Sequence, residues 1–230
     1  MSKTIIKISN VYKKFSKNKF NVLQNINYKF SIGKSYSIVG PSGSGKSTLL
    51  NIISMIDKPT KGNIFINNKK INFKENSIND ITRASKIGII YQDFNLLNDF
   101  TAFENILIAR LSIENDIHKA SKLTNRMLSQ VKILKRKNHF PSELSGGEAQ
   151  RIAICRAIVN SPQIILADEP TGSLDKKNSK EIFKLLLNTK NKNRVLIFAT
   201  HNMYFANLAD YKLQIIDGKL KSSNARIRKK

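Results

Sequence analysis

Nine consecutive residues, Gly40-Pro41-Ser42-Gly43-Ser44-Gly45-Lys46-Ser47-Thr48, combine glycines, hydroxyls and one lysine in a pattern suited to a dense anion. A triphosphate needs many donors in little space. Glycines let backbone N–H groups turn inward, and a helix starting near Lys46 aims the positive end of its dipole at the same point. Lys46 is placed to reach the β- and γ-phosphates of a nucleoside triphosphate, and the Ser47 hydroxyl to ligate Mg²⁺. The run matches the phosphate-binding loop pattern without a departure. It also sits between a strand-like stretch, Ser35 to Val39, and helical sequence from Ser47 to Ile56, as that chemistry requires.

Two carboxylates further on fit the same reaction. Ile164-Ile165-Leu166-Ala167 is an apolar strand that ends in Asp168-Glu169. Successive strand side chains diverge, so the pair can divide the work. Asp168 suits holding Mg²⁺ through its water shell, and Glu169 suits orienting the water that attacks the γ-phosphate. Alone, this run would read as an acidic loop after a core strand; the phosphate loop upstream decides otherwise. Between the two lies Leu144-Ser145-Gly146-Gly147-Glu148-Ala149-Gln150-Arg151, ahead of an apolar helical run from Ile152 to Val159. A hydroxyl, two glycines and a helix N-terminus make a second phosphate-recognition loop. Taken alone, it would be a helix cap with glycines.

These residues need a frame. The N-terminal stretches Ile5 to Ile8 and Val22 to Phe30 alternate in strand fashion, and Asn63 to Ile66 with Lys70-Ile71 reads as a hairpin after the turn at Pro59 to Gly62. Ile87 to Tyr91, Ile164 to Ala167 and Val195 to Ala199 are fully apolar strands, with a helix from Ser179 to Asn188 between the last two. Such alternation implies a mostly parallel sheet covered by helices on both faces. The expected fold is therefore α/β: a nucleotide-binding core, an antiparallel β part at its front, and an inserted helical subdomain over about residues 94–150. One domain spans 1–230, with no internal repeat.

The bulk properties exclude several classes. A hydrophobic share of 40% in 230 residues supports a real core. No apolar run reaches the ~18 residues of a membrane-spanning helix. The start, Met1 to Thr4, passes directly into strand sequence, so no signal peptide is expected. The single Cys155 excludes an internal disulfide and a CxxC metal site. These features lead to an expected cytoplasmic location. The net charge of +24 is the unusual property. It could serve nucleic acid or the anionic inner face of a membrane. Lysines are scattered, with clumps at Lys135 to Lys137 and in the tail Arg226 to Lys230, and Lys, Asn and Ile are abundant together. Compositional drift is the reading adopted, and charge alone chooses no function.

The octet at Leu144 closely resembles the signature of ABC transporter ATPases, and the resemblance extends over about residues 4 to 220. It implies that Ser145, Gly146 and Gly147 bind the γ-phosphate held by the opposite subunit's phosphate loop, so that a homodimer encloses two Mg-ATP. The remaining family elements follow in order. Tyr12 resembles the aromatic that stacks on adenine, although in isolation it would read as strand packing. Gln92 matches the glutamine that touches Mg²⁺ and the attacking water. Asp175, in Ser173-Leu174-Asp175, matches the loop coupling the two sites. His201, after the strand ending at Thr200, resembles the switch histidine on the γ-phosphate. His118 and His139 have no such context. With Lys46, Glu169 and His201 in place, the resemblance implies an active ATPase.

Residues between the motifs point to a branch. Tyr91 to Ile106, with its Asp99-Phe100-Thr101-Ala102 and Glu104-Asn105 pieces, is similar to the lipoprotein-releasing ATPases, whose wider branch includes macrolide-export and cell-division (FtsE-like) ATPases. That similarity implies integral membrane permease subunits of the LolC/LolE-like kind and a peripheral position on the cytoplasmic face of the inner membrane. Phe94, Leu96, Leu97, Phe100 and Phe103 have two open readings: a groove for a partner helix, or packing of the helical lobe. Ala149 departs from the family, where Arg is common. The short basic stretch after Gly218 leaves no expectation of an added regulatory domain. Solute uptake or macrolide and peptide export are the alternatives within transport, and a nucleic-acid ATPase is the distant one; nucleic acid is not an expected partner.

Overall fold

The computed structural model describes residues 3–16 and 20–223, so the basic tail Arg226 to Lys230 lies outside the described residues. The chain enters through β1 (Thr4–Lys13) and β2 (Leu23–Ser31), which pair antiparallel. Ile6, Ile8 and Val11 are buried while Lys7 is exposed, the alternation of a sheet with one covered face. Then come β3 (Ser35–Val39) and α1 (Lys46–Ile53), followed by β4 (Lys61–Ile66) and β5 (Lys69–Lys70), which return to the first sheet in the order β2-β1-β4-β5. Next are α2 (Asn76–Lys86), β6 (Ile87–Ile90), α3 (Ala102–Leu111), α4 (Ile117–Gln130) and α5 (Gly146–Ile158). The last third holds β7 (Ile164–Asp168), α6 (Lys176–Asn188), β8 (Val195–Ala199), α7 (Met203–Ala206), β9 (Tyr211–Ile216) and β10 (Lys219–Ser223).

The second sheet runs β10-β9-β3-β8-β7-β6 and is parallel except for β10, which pairs antiparallel with β9. β3 and β8 are buried along their whole length, which is why both read as unbroken apolar or small-residue runs. The two sheets are stitched where the Gln24 N–H donates to the Gly218 carbonyl at 2.7 Å. The expected architecture is thus present: a mostly parallel sheet, an antiparallel part in front, and helices inserted between β6 and β7.

Three elements were not anticipated. On α2, Ile78 and Ile81 are 58% and 69% exposed, so its apolar residues mark no buried face. β9 and β10 did leave a signal: Asp217-Gly218, both at positive φ, joins two strands of alternating burial, the turn chemistry of a tight hairpin.

Among the described residues, three apolar clusters hold the fold together. The first fills the space between the two sheets and α1, from Ile6 and Phe30 to Leu49, Leu166 and Leu213. The second lies between the parallel sheet and α5 and α6, around Phe183, Phe198 and Phe205, whose rings touch. The third is the core of the helical lobe, built from Ala102, Ile106, Leu128, the α5 residues Ile152 and Cys155, and Val159 at the end of that helix. Helix α5 also gives Ile154 and Ala157 to the second cluster. It is apolar on opposite sides because it is the wall both cores share. Burial pushes the Cys155 thiol up to about 12, with the Arg151 charge opposing, so it packs there as an inert apolar group.

Candidate functional site

The site lies at the carboxyl ends of four adjacent parallel strands, where open α/β sheets bind ligands. In the order β3-β8-β7-β6, each strand end delivers one expected residue or set. After β3 comes the phosphate loop, after β8 His201, at the end of β7 Asp168 and Glu169, and after β6 Gln92. A cavity of about 390 Å³ gathers Ser42, Gly43, Gly45, Lys46, Ser47, Thr48, Gln92, Glu169 and His201. Residues far apart in sequence therefore share one wall.

The phosphate loop needs glycine where the chain turns into α1. Gly45 caps that helix at φ 104°, a left-handed conformation, and a Cβ there would come within 2.8 Å of the Leu23 side chain. Lys46 is buried, and its ammonium donates to the Gly40 and Pro41 carbonyls at 2.9 and 3.0 Å, lying across the loop it anchors. The loop's remaining donors are backbone N–H groups at the start of α1.

Asp168 is set apart from Glu169 by its surroundings. Burial raises the Asp168 carboxyl above its usual range, with the Glu169 charge adding and the Ser47 hydrogen bond and Lys46 charge opposing. Its Oδ1 is buried without a hydrogen-bond partner. Glu169 sits at φ 44°, a left-handed conformation uncommon for a residue with a side chain. Its N–H donates to the Ala199 carbonyl at 3.0 Å, and its Oε2 lies 3.0 Å from Nδ1 of His201. The chain turns sharply after β7, and the turn swings the second carboxylate toward the histidine.

Gln92 is braced by its neighbours. Its carbonyl accepts from the Ser173 hydroxyl at 3.1 Å, and its side chain packs so closely on Gly172 that a Cβ there would meet it at 3.0 Å. The buried Gln150 of α5 donates through Nε2 to the Pro170 carbonyl at 2.6 Å and to the Tyr91 carbonyl at 3.4 Å, tying the ends of β6 and β7 to the helix. Gln150 went unassigned in the sequence because its partners are remote main-chain carbonyls. A second organiser of this kind is Asn105. Buried in α3, it accepts from the Leu97 N–H and donates to the Leu97, Phe100 and Thr101 carbonyls, closing the loop from Gln92 to α3.

Ser145, Gly146 and Gly147 do not line the cavity. They begin α5, where Ser145 and Glu148 form a reciprocal cap: the Glu148 N–H donates to Ser145 Oγ at 3.4 Å, and Glu148 Oε2 accepts from the Ser145 N–H and hydroxyl at 2.9 and 2.8 Å. Gly147 is buried against Asn178 of α6, where a Cβ would lie 2.8 Å from Oδ1. Ala149 is buried too, in a place where the common Arg would have to find room. Asp175 caps α6, accepting from the N–H groups of Lys177 and Asn178.

Tyr12 is half-buried in β1 opposite Lys61 and lines neither cavity at the phosphate loop. Open rings stand nearby. Phe15 is 40% exposed with the Lys13 ammonium 4.6 Å over its face, and Phe20 is 80% exposed in a second cavity shared with Pro41, Ser42, Gly43 and Ser44. Exposure is the signal that separates these rings from Tyr12, and sequence alone does not give it. Among the five apolar residues with two readings, Leu96 and Phe103 pack into the lobe core, whereas Leu97 and Phe100 are 44% and 39% exposed.

A family model described as ABC transporter matches residues 23–172. The lipoprotein-releasing system ATP-binding protein LolD of Rickettsia conorii is 42% identical over 219 residues, which cover 93% of this chain and 97% of that protein. An uncharacterized ABC transporter ATP-binding protein of Methanocaldococcus jannaschii is 37% identical over 218 residues, covering 94% of this chain and 97% of that one. Among solved structures, the ATP-binding cassette MJ0796, a dimer in a post-hydrolysis state bound to ADP and Pi, superimposes with a TM-score of 0.88. It is 34% identical and covers 98% of this chain and 100% of that chain.

Proposed function

The chain belongs to the ABC transporter ATP-binding family, and we propose that two copies close on two ATP molecules, each held between the Lys46 loop of one copy and the Ser145–Gly147 loop of the other. One observation carries this reading. Lys46, Gln92, Glu169 and His201 line a single cavity, while the second phosphate-type loop stands outside it in the same chain. A half-site of this kind is completed by a twin.

Each residue has a task that its setting supports. Lys46 leaves the Gly40 and Pro41 carbonyls for the β- and γ-phosphate oxygens, joined by the N–H groups of Gly43 to Thr48. Glu169 orients the attacking water, and His201, within hydrogen-bond distance of Glu169, faces the γ-phosphate. The donor set fits magnesium: Asp168 keeps a buried, unpartnered oxygen beside the Ser47 hydroxyl, and hard oxygen ligands are what this ion takes. Ser47, Asp168 and Gln92 would hold it, and when bound it neutralises charge on the phosphates. For the base, the open rings of Phe15 and Phe20 offer more face than Tyr12, which is half-buried in its strand ladder opposite Lys61. Asp175, which caps α6 beside the Glu169 turn, couples the two sites across the dimer.

Closure drives membrane permease subunits, and loss of the γ-phosphate removes the link that holds the copies together. Leu97 and Phe100, exposed where the loop enters α3, receive a helix of such a subunit at the cytoplasmic face of the inner membrane. The sequence likeness to LolD makes lipoprotein release the cargo reading, with LolC/LolE-like subunits as partners. Among the described residues no helix is long and apolar enough to cross a membrane.

Glu169→Gln tests the scheme, because it keeps the binding wall and removes the carboxylate. Size-exclusion chromatography should show an ATP-dependent dimer that persists, and a profile that stays monomeric at saturating Mg-ATP counts against the sandwich. The cargo is tested by reconstitution with the lipoprotein-releasing permease subunits in liposomes. ATP-dependent release of a lipoprotein supports the reading; assembly with turnover but no release assigns the chain to another transporter.

A further inference from the structure

The loop that carries Gln92 continues through two consecutive non-glycine residues in the left-handed region, Phe94 at φ 59° and Asn95 at φ 48°. Such backbone persists only where its surroundings over-determine it. What holds it is Arg156, on the last turn of α5. One guanidinium nitrogen donates to the Phe94 carbonyl at 2.7 Å and the other to the Asn95 carbonyl at 2.5 Å. The fork's partners are two main-chain oxygens rather than a carboxylate, so a largely enclosed cation is spent on the shape of a loop. Burial draws the guanidinium below its ordinary range, with Tyr91 opposing, which is the cost of keeping it there. The same helix reaches the loop twice more. Gln150 donates to the Tyr91 carbonyl, and Gly146, at its first residue, lies against the Phe94 ring, 3.6 Å from where a Cβ would stand.

We infer that Arg156 is a positioning residue for Gln92: by gripping the Phe94 and Asn95 carbonyls it makes the Gln92 loop and the Ser145–Gly147 loop one rigid piece, both carried by α5. Gln92 therefore enters the cavity beside Lys46 and Glu169 only in company with the loop that the same chain offers to its twin. The inference rests on the proposed role of Gln92 at the reacting centre. It adds that the approach of one copy to the other and the completion of its own catalytic wall are one movement, and it names the side chain that joins them.

The test is a double-substitution cycle on the full chain, reading kcat and KM for ATP. Lys at 156 keeps the charge but cannot fork across two carbonyls. Arg156→Lys should lower kcat by about tenfold with KM for ATP unchanged, since displacement by about an ångström is enough for such a loss. Gln92→Ala should lower kcat by at least as much. The double variant should be no slower than Gln92→Ala alone, because a residue that acts through Gln92 has nothing left to position. Multiplied losses, a raised KM with kcat retained, or full activity of Arg156→Lys would each overturn the inference. If Gln92→Ala itself keeps full kcat, the role of Gln92 falls first and the positioning role with it. Asn95 is exposed, so Asn95→Val attacks the same latch without touching the core. A β-branched residue resists the left-handed conformation, and this variant should give the same tenfold loss and the same silence in a Gln92→Ala background. Additive behaviour of Asn95→Val would sink the proposal even if Arg156→Lys failed to fold.

Discussion

The loops at Gly40–Thr48 and Ser145–Gly147 are both glycine-bearing starts of a helix, yet what stands behind them differs. The first follows β3 in the middle of the parallel sheet, and its lysine is buried and tied to the loop's own carbonyls. The second stands on a lobe with a small core of its own, and its serine is occupied as a helix cap. One loop lines the cavity that Gln92, Glu169 and His201 share; the other stands outside it. On the proposed reading, the two phosphate-type loops are a fixed half and a travelling half of one site, and the travelling half serves another molecule.

The sharpest way to break that comparison is Lys46→Ala. If the fixed loop is the one that binds and activates ATP, steady-state phosphate release should fall by about 10²–10³-fold, the scale for losing a preorganised charge partner in a transition state. Turnover at the unaltered rate would end the assignment. Next comes Ser145→Arg on the exposed start of α5. It should abolish ATP-driven dimerisation and turnover while leaving the affinity of the single chain for a fluorescent nucleotide unchanged, since that loop stands outside the cavity of the Lys46 loop. Weakened nucleotide binding by the monomer would show that the two loops are not divided as described.

The connection between the halves can be probed by stability. Gln150→Leu removes the donor to the Pro170 and Tyr91 carbonyls, leaving them buried without a partner, and should cost about 1–3 kcal/mol in a denaturant titration. A midpoint that does not move would mean the amide is not a tie between α5 and the strand ends. Smallest is Thr101→Ala. Thr101 and Glu104 form the same reciprocal cap at α3 that Ser145 and Glu148 form at α5. Its loss should cost about 1 kcal/mol in the same titration and leave phosphate release unaltered. Lost turnover in that variant would mean that an ordinary cap and a travelling phosphate loop cannot be told apart by position.

How much could be read in advance follows from the range of each interaction. The phosphate loop, Asp168 and Glu169 were legible because their chemistry is local: a strand, a turn and a helix within a dozen residues announce them, whereas His201 was read only through its place in the family pattern. The wall they make together needed only the rule that parallel strands end on one side. Gln150, Asn105 and Arg156 were opaque because each spends its side chain on carbonyls, near in the chain for Asn105 and tens of residues away for the other two, and a carbonyl has no residue type to betray it. The placement of Tyr12 against Phe15 and Phe20 was opaque for another reason. All three are aromatic beside one strand, and only burial divides them. Helix α2 escaped because its isoleucines face outward, while β9 and β10 carried a readable turn at Asp217-Gly218 that was passed over.

Helix α5 has a bearing on how this molecule can be rebuilt. Residues 152 and 155 belong to one oil drop and residues 154 and 157 to another, so any splice placed inside 146–158 parts side chains that were fitted to different neighbours. A chimera with a relative should therefore inherit α5 whole, together with the loop at 92–97 that it grips and the α6 surface it rests on. Cut elsewhere, the graft would carry a lobe with a missing wall. In breeding terms the helix is a linkage group: its two sides must be inherited together because each was shaped to a different parent.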